Sequence, residues 1–366
     1  MLSFVSVDIL TGKVLADLED LTFSGSLKET YGRPEQLTVS LPVASAPEGW
    51  VTATRPYSVA LVCLADDGAR PLWGAIVTNR KTGLGPSIEL SMATIPEYFD
   101  RQFLGNETFT ARPQNLLVKD LVEKYAKNPR AAGMFGIPLR VQVEGGNGVA
   151  RDKTYADKED KTLLSALQDL SGLEGGPEWV VEWENNNQVI TPVLRVSDRI
   201  GASAPVGLLP SVQFSAPGCV SDAVYEESYK SGDGANDIMA TSSGSSDARP
   251  QSSHQRTLND GRPTVEFRWS PSSSITQIPT LDSHARRVQA AFADGMAMLS
   301  LTANRYEAPE LGAEWRLGDD VYVDLTSPAW AGGLTGTARV VGWELTETTV
   351  SPTLLLDQAS VSWLLS

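Results

Sequence analysis

Apolar and polar residues alternate through much of the first 95 residues, as in strands that pack one face on a core and leave the other in water. The clearest pair of runs lies in residues 71–103, PLWGAIVTNRKTGLGPSIELSMATIPEYFDRQF. KTGLGP separates the two runs with glycines and a proline, so we predict a hairpin with a longer loop. The apolar positions of the predicted strands are Leu21, Phe23 and Leu27; Leu37, Val39 and Leu41; Tyr57, Val59, Leu61 and Cys63; Trp73, Ala75 and Val77; and Ile88, Leu90 and Met92.

Helical spacing replaces this alternation after about Pro96. The apolar positions of residues 112–127 have the spacing of one face of an amphipathic helix. Thr110 can cap the start of this predicted helix, and Pro113 suits its first turn. A second helix is predicted over residues 162–170, with Asp160 near its start and Gly172 as its C-cap. The stripe of the first helix contains Leu117, Leu121 and Tyr125, with Val118 and Val122 beside them.

Strands return after the second helix. Trp179, Val181 and Trp183 alternate with Val180, Glu182 and Glu184, and a second strand, ITPVLRV, follows a turn at residues 185–187. Residues 212–229 also have strand character. The following GDGAND and ATSSGSSDARPQSSHQ are rich in Gly, Ser and Asp, which favours a mobile loop.

The C-terminal third begins with a helix that Asp282 or Ser283 would open. Residues 315–366 then predict strands, separated by a glycine-containing loop at residues 332–336. Their apolar positions are Val321, Val323 and Leu325, then Val341, Trp343 and Leu345.

These elements predict a mainly β fold with α+β insertions, in which two small antiparallel β-barrel domains flank a mixed α/β middle. The expected divisions are a first barrel at 1–95, an α/β insert at 96–205, strands at 206–230 that return to the first barrel, a flexible loop and helix at 231–300, and a second barrel at 301–366. A chain of 366 residues is long enough for two or three cores.

Composition narrows the function. The formal charge of -15 argues against binding a nucleic-acid backbone, because basic surface supplies most of that affinity. No apolar run approaches the roughly 18 residues of a membrane span. The N-terminal MLSFVSVDILTG lacks a basic leader and a cleavage site, so we expect no signal peptide and synthesis in a cytoplasm. Cys63 and Cys219 are expected to be buried free thiols.

The sequence offers few candidate catalytic residues. His254 and His284 are the only histidines, and both are expected at the surface. Ser283 cannot face its neighbour His284 as a catalytic triad requires. Glu178, Glu182 and Glu184 lie among tryptophans, as the carboxylates of glycosidases do, but their spacing also fits a solvated strand edge. We predict no catalytic residues.

A metal site has one candidate. Asp233, Asn236 and Asp237, within residues 232–237, resemble a calcium loop but lack the spacing and the terminal glutamate of an EF-hand. No nucleotide-binding loop, nucleophile elbow or metalloprotease helix occurs in the sequence. We therefore predict no metal and no cofactor, and the calcium reading stays open.

Three stretches carry a family resemblance. They are WGAIVTNR with the strand and YFDRQF exit that follow it, TLLSALQDLSGLEGGPEWVVEWE at residues 162–184, and RVVGWELTETTVSPTLLLD near the C-terminus. Their order in a chain of this length resembles the minor tail proteins, or tail-tip hub proteins, of siphophages, especially those that infect actinobacteria. They are packing and turn patterns, and none is a catalytic signature.

The resemblance implies a homotrimer in the virion tail tip, synthesised in the host cytoplasm. Each copy would contribute two equivalent barrels to a ring that matches a sixfold tail tube. The implied partners are the distal tail protein ring, the C-terminus of the tape measure protein, and downstream tail-tip or fibre proteins. Specific nucleic-acid binding and a membrane span are not expected.

Two functions remain at this point. The first is a structural hub that joins the tail tube to host-facing proteins and lines or closes the genome exit channel. The alternative is a cell-wall hydrolase or carbohydrate-binding tail protein that uses the strand from Trp179 to Glu184. For a hub, we expect a substantial part of the acidic surplus to face the channel, with Glu314, Asp319, Asp320 and Asp324 as candidates. The competing interpretation is that the negative charge is spread evenly and serves solubility.

Overall fold

A computed structural model describes residues 2–128, 131–205, 207–230, 233–242, 244, 249–271, 275–292 and 295–356. Strands make up 45% of the protein and helices 15%, which confirms a mainly β fold with helical insertions. The helices are α1 (Trp50–Ala53), α2 (Ile95–Phe99), α3 (Gln114–Val122), α4 (Leu163–Ser171) and α5 (Ile278–Phe292), with a π-helical turn at Glu123–Lys127 and 3₁₀ turns at Val43–Ser45 and Asp157–Glu159.

The strands of the N-terminal half and the insert are β1 (Ser3–Asp8), β2 (Val14–Asp17), β3 (Thr22–Phe23), β4 (Leu27–Thr30), β5 (Gln36–Pro42), β6 (Val59–Leu64), β7 (Pro71–Lys81), β8 (Ser87–Ala93), β9 (Glu107–Pro113), β10 (Arg140–Val143), β11 (Ala150–Tyr155), β12 (Glu178–Asn186) and β13 (Val189–Ser197). Those of the remainder are β14 (Gln213–Ala216), β15 (Val220–Ser228), β16 (Asp237–Ala240), β17 (Gln255–Arg256), β18 (Glu266–Trp269), β19 (Met296–Asn304), β20 (Asp320–Ser327), β21 (Trp330–Leu345) and β22 (Thr349–Leu356).

The first sheet has the order β2-β1-β6-β7-β8-β5-β3. The predicted hairpin is confirmed, because β7 and β8 pair antiparallel with Val77 opposite Met92 and Lys81 opposite Glu89. The N-terminal apolar run, which the sequence pattern left unassigned, forms β1 between β2 and β6.

Strand β7 is buried on both faces. Trp73, Ala75 and Val77 pack in a core shared with the C-terminal sheet, whereas Ile76 packs against the insert. The expectation of one face in water holds for β8, where Glu89 is exposed, but is wrong for β7, whose residues 73–77 are all buried. The insert covers the face that the expectation had assigned to solvent.

The second large sheet has the order β14-β20-β21-β22-β19-β15, and β4 from the N-terminal region pairs with the far end of β21. Only two residues separate Val220, where β15 starts, from the cis Ala216-Pro217 bond that ends β14. The two outer strands of the sheet are therefore connected by a short turn, which curls the sheet into a half-barrel.

Two expectations for this sheet are wrong. The strands at 206–230 do not return to the first sheet: β14 pairs with β20 and β15 with β19. Residues 332–336 are not a loop, since β21 runs through them. A register shift between Val340 and Gly342 buries Val340 and leaves Val341 half-buried, so Val341 does not share the buried face of Trp343.

The insert packs α3 and α4 against a sheet of order β10-β13-β12 and the β9–β11 pair. The predicted β12–β13 hairpin is confirmed, with Asn187 and Gln188 in the left-handed region as its turn requires. The core of the insert includes Leu117, Leu121, Leu163 and Leu167, and it also receives Val5, Val7 and Val62 from the first sheet.

The helix boundaries differ from the predicted ones. Helix α3 begins at Gln114 after Pro113, and Thr110 lies in β9. The Thr162 Oγ1 atom accepts from the Ser165 N–H at 3.1 Å, so Thr162 caps α4 in place of Asp160, and Gly172 is its C-cap as predicted. Helix α5 begins at Ile278, before Asp282.

The predicted flexible region contains a small packed unit. Strands β17, β16 and β18 form a sheet, and α5 covers it with Leu281 and Ala285 against Ile238 and Ala240. The loop expectation is therefore wrong for Asp237, Ala240 and Gln255, which lie in strands, and the expected mobility of the rest stays a prediction. Residues 243 and 245–248 lie outside the described part of the chain.

Two further expectations concern the cysteines and a membrane span. Both cysteines are free thiols; Cys63 is buried as expected, but Cys219 is only partly so. Burial raises the pKa of the Cys63 thiol. Among the described helices, none has the length and apolar character to cross a membrane.

Gly74 is required where the first sheet meets the insert. The indole Nε1 of Trp183 donates to the Gly74 carbonyl at 3.1 Å, and a Cβ at Gly74 would lie 2.6 Å from that ring. We expect Gly74→Ala to lower the free energy of unfolding by about 1–3 kcal/mol through overpacking. Urea denaturation measures this loss.

Gly85→Ala is the matched control, because nothing lies within 4 Å of a Cβ at that hairpin position. Equal stability of the two variants would show that Trp183 does not restrict residue 74.

Candidate functional site

A cleft of about 200 Å³ opens where the first sheet, the insert and the C-terminal sheet meet. It contains the strand that the sequence singled out. Charged side chains of both signs line it together with four tryptophans: Glu29, Arg33, Glu35, Arg70, Glu182, Glu184, Arg195 and Arg316, with Trp73, Trp179, Trp183 and Trp343.

Strand β12 turns its tryptophans and its glutamates to opposite faces, as predicted. Trp179 and Trp183 pack in the core of the insert, and Trp179 lies against Phe99 with ring centroids 6.1 Å apart. The four tryptophans of the cleft are only 2–7% exposed. These tryptophans line the cleft, but none of them offers the open aromatic face on which a sugar ring could stack.

The glutamates of β12 are paired with arginines, so the expectation of a solvated strand edge is wrong. Arg195 on β13 binds Glu182 at 2.6 Å, Glu144 at 2.6 Å and Glu184 at 3.4 Å, and Arg140 also binds Glu184. The pairing follows from the β12–β13 register. Val193 lies directly opposite Glu182, and Arg195, two residues further along β13, is the diagonal neighbour of Glu182 on the same face. These carboxylates are held in place by the fold.

Glu178, at the start of β12, joins three parts of the protein. Arg339 on β21 binds both of its carboxylate oxygens, at 2.8 and 2.5 Å, and donates to the Tyr31 hydroxyl at 3.0 Å and the Ile200 carbonyl at 2.8 Å. Glu178 also accepts from the Ile200 N–H at 2.8 Å. The insert, the N-terminal region and the C-terminal sheet therefore meet at one guanidinium.

Glu29 is the titratable group of the cleft that sequence reasoning missed. Burial, and then repulsion by Glu182, raise the pKa of Glu29 to about 8, while a hydrogen bond from Trp343 acts in the opposite direction. Near neutral pH this carboxyl keeps its proton beside a carboxylate bound to arginine. The arrangement supplies one potential proton donor and one fixed negative charge.

Only one of the two histidines lies at the surface, where the sequence placed both. His284 is 4% exposed and lies in the second turn of α5, so the expectation of a surface residue is wrong. His254 is exposed as expected, and its Nδ1 lies 2.5 Å from the Asp237 carboxylate. The Ser283 hydroxyl does not bond His284 but accepts from the Glu174 N–H at 3.1 Å.

The candidate calcium ligands are occupied by protein donors. Asp237 binds His254 and Arg256, and these contacts lower the pKa of Asp237 despite burial. The Asn236 side chain bonds Asp260, Pro263 and Val265, and the Asp233 carboxylate accepts from Ser228. No group of three or more potential metal-ligating side chains occurs among the described residues.

Most of the suggested channel carboxylates also have local partners. Asp320 binds Arg199 at 2.6 Å, Asp319 accepts from the N–H groups of Ala202 and Arg316, and Glu314 accepts from the Glu310 N–H. Asp324 lies on β20, half-buried.

Sequence reasoning missed Glu29, Arg195 and Arg339 for different reasons. Arg195 could have been predicted, because a basic residue on one strand of a hairpin suggests an ion pair with acidic residues on the other strand. Glu29 and Arg339 become functional candidates only when β4 joins β21 and β12 meets the C-terminal sheet, and no local signal predicts either contact.

The fold is that of bacteriophage tail proteins. The chain is similar to the 43 kDa tail protein of prophage MuSo2 from Shewanella oneidensis, at TM-score 0.57 and 11% identity, over 98% of this chain and 99% of that one. A tail protein from Neisseria meningitidis MC58 gives TM-score 0.56 and 11% identity, over 97% of each chain. Prophage tail protein gp18 from Listeria monocytogenes EGD-e gives TM-score 0.51 and 11% identity, over 99% of this chain and 97% of that one. Neither a protein-family model nor a curated protein sequence matches the chain.

Glu29 predicts a pH dependence of stability. Because its pKa of about 8 in the folded protein exceeds the ordinary 4.5, its contribution to stability is full below pH 4.5 and is lost as pH rises through 8. We expect Glu29→Gln to match the wild type near pH 4.5 and to be more stable at pH 8.5. Urea denaturation at the two pH values measures the difference.

Glu48→Gln is the control, because Glu48 is an exposed glutamate outside the cleft. A Glu29 variant whose stability relative to wild type is the same at both pH values would contradict the raised pKa.

Proposed function

We propose that the protein is a structural component of a siphophage tail tip, where it forms a trimeric hub. The observation that carries the proposal is the match of fold over almost the whole length of both this chain and the MuSo2 tail protein. A similarity confined to one sheet would fit many β proteins. Here the similarity extends over 98% of this chain and 99% of that one.

The two large sheets would serve as the two barrel-like modules of such a hub. They pack on a common core, so they form one rigid body, and three copies would place six such modules in a ring. The hub would join the tail tube, through the distal tail protein ring, to downstream tail-tip or fibre proteins. The tape measure protein C-terminus would contact its channel side.

Exposed strand edges support an assembly. Strand β15 ends the second sheet, pairs only with β19 among the described strands, and carries Val224, which is 56% exposed. An uncovered edge of nine residues is a site for unwanted pairing unless another chain covers it. In a hub, a neighbouring copy would cover it.

The acidic surplus would face partly into the genome exit channel. A charge of -15 on each copy makes the copies repel one another, and salt screens this repulsion only partly. Excess negative charge on the faces where copies meet would therefore oppose assembly. A negative wall would keep DNA from adhering as it leaves. Asp324 is the best candidate of the four named carboxylates, because the other three already have local partners.

A trimer is directly measurable. We expect mass photometry to give a species of three times the 39.3 kDa chain mass, with monomer increasing on dilution. We expect Val224→Lys to shift the balance toward monomer. Val149→Lys, at a position 52% exposed in the insert, is the matched control and should not. A stable dimer, or a hexamer in the assembled tail, would contradict the ring.

The alternative function is a tail-associated cell-wall hydrolase or carbohydrate-binding protein. The specific observation in its favour is the cleft, where Glu29, which holds a proton at neutral pH, lies beside the Arg195-bound Glu182. Two carboxyl groups in unlike environments are the pattern of glycosidases. Buried tryptophans and the many arginines oppose it, since they leave no open platform for a sugar.

A peptidoglycan zymogram separates the two functions. We expect the wild-type protein to give no zone of clearing, and Glu182→Gln with Glu184→Gln to leave infectivity near normal. A zone of clearing that Glu29→Gln abolishes, in a variant that still assembles, would establish the alternative.

A further inference from the structure

Four arginines reach the cleft from four separate segments of the chain. Arg33 follows β4, Arg70 directly precedes β7, Arg195 lies on β13, and Arg316 lies in the loop before β20. They converge because the first sheet, the insert and the C-terminal sheet meet there. Arginines gathered in one concave site are a common means of binding a carboxylate or a phosphate, because the guanidinium fork matches the geometry of these anions.

The loop that carries Arg316 packs on Arg70. Glu310, early in this loop, binds the Arg70 guanidinium through Nη2. Gly312 has a φ of +80°, and a Cβ on it would lie 3.7 Å from Arg70 Nε. The Gly312 N–H donates to the Trp315 carbonyl at 2.7 Å, so the loop turns back on itself just before Arg316. Arg70 and Arg316 therefore lie on the same side of the cleft.

Donors of these arginines remain unused. Arg70 Nε is buried and has no hydrogen-bond partner among the described protein atoms. Within the described part of the chain, the Arg316 guanidinium approaches only the Glu182 carboxylate, at 3.8 Å, and the Arg33 guanidinium forms no hydrogen bond or ion pair. A buried donor on a cation is costly without an acceptor, so an anion in the cleft would satisfy a group that the chain leaves open.

The acceptors of the lining are mostly taken. Arg195 binds Glu182 at 2.6 Å and Glu184 at 3.4 Å. Of the ionised carboxylates that line the cleft in the described ranges, Glu35 alone has no partner. Unused donors therefore outnumber unused acceptors.

The charge balance of the lining also favours an anion. Because the pKa of Glu29 is about 8, its carboxyl is neutral at pH 7. The lining then carries four positive charges, from the arginines, and three negative charges, from Glu35, Glu182 and Glu184, which is a balance of +1. The whole chain has a formal charge of -15, so this positive balance is local to the cleft.

Apolar side chains complete the lining. Leu72, Leu311 and Leu317 lie beside the tryptophans. The volume of about 200 Å³ is less than the roughly 300 Å³ at which sites for drug-sized ligands begin. An inorganic anion would contact the arginines and leave the apolar walls uncovered. A short apolar body with one anionic group fits both parts.

We propose that the cleft binds a small organic carboxylate, with its anionic group on Arg70 and Arg316 and its apolar body against Leu311 and Leu317. A free organic acid and an aspartate or glutamate side chain of another protein present the same chemistry. Binding a carboxylate requires neither a trimeric hub nor a hydrolase, so the inference is independent of both functions proposed above.

The test is a titration of the full chain at pH 7, followed by saturation-transfer NMR of the ligand. We expect butyrate to bind and its uncharged isostere butyramide not to bind. Acetylglutamate amide and acetylglutamine amide form a second pair: binding of butyrate alone assigns a free acid, and binding of the capped glutamate as well assigns a protein side chain. Binding of neither acid, equal binding of acids and amides, or displacement of butyrate by an equal concentration of inorganic phosphate would overturn the proposal.

Arg316→Gln removes one donor from the cleft. Because the guanidinium has only the 3.8 Å contact with Glu182 among the described residues, the fold should persist, which an unfolding curve checks. We expect the Kd of butyrate to rise about ten- to a hundredfold, the effect of one hydrogen bond to a charged group. Arg55→Gln is the matched control, since it removes the same charge at an exposed position outside the cleft and should leave the Kd unchanged. An Arg316→Gln chain that binds butyrate as the wild type does would exclude this site.

Glu29 gives the binding a pH dependence. The charged groups around it are Glu182 on β12, Glu35 after β4 and the arginines of the lining, and no described lining residue is a histidine, lysine, cysteine or tyrosine. A bound carboxylate adds a negative neighbour, so the occupied cleft holds the Glu29 proton more strongly and affinity falls as pH rises through 8. We expect weaker butyrate binding at pH 9 than at pH 7, and Glu29→Gln, which stays uncharged, should lose this difference. Equal wild-type affinity at the two pH values would contradict an anion site beside Glu29.

Discussion

Strands β6 and β7, at the centre of the first sheet, are buried on both faces, and the rest of the architecture follows from this constraint. Strand β7 must present Trp73, Ala75 and Val77 to the C-terminal sheet and Ile76 to the insert at the same time. A strand in this position has no solvent side on which to place a large side chain, so Gly74 leaves room for the Trp183 indole. Because one sheet serves two cores, neither neighbour can shift without disturbing the other.

Ion pairs fix the orientation that apolar packing leaves open. Hydrophobic contacts are non-directional. The planar Arg339 guanidinium, in contrast, can donate to Glu178, Tyr31 and Ile200 together only when these groups lie in fixed positions around it. Arg195 plays the same part within the insert, where it holds three carboxylates. Arg195 lines the cleft, and the like-charged neighbours of Glu29 result from bringing the three parts together there.

The unit of β16, β17, β18 and α5 is held in a different manner. It has its own small apolar core, and it contacts the insert through the hydrogen bond from the Glu174 N–H to Ser283 and the ion pair of Glu174 with Arg286.

The sequence by itself determined the local elements, because their causes are local. The KTGLGP turn defines the β7–β8 hairpin, and the spacing of Leu117 and Leu121 defines α3. Tertiary structure decided which sheet each strand joins. Strands β4, β14 and β15 all pair in the C-terminal sheet, and the local sequence around Leu27 and Phe214 does not predict this pairing. It also decided the face of Val341, through a one-residue register shift, and the partners of Glu29 and Arg339. Period-two alternation reports that a strand has a buried side but not what buries it, and pairing between distant segments depends on the whole core.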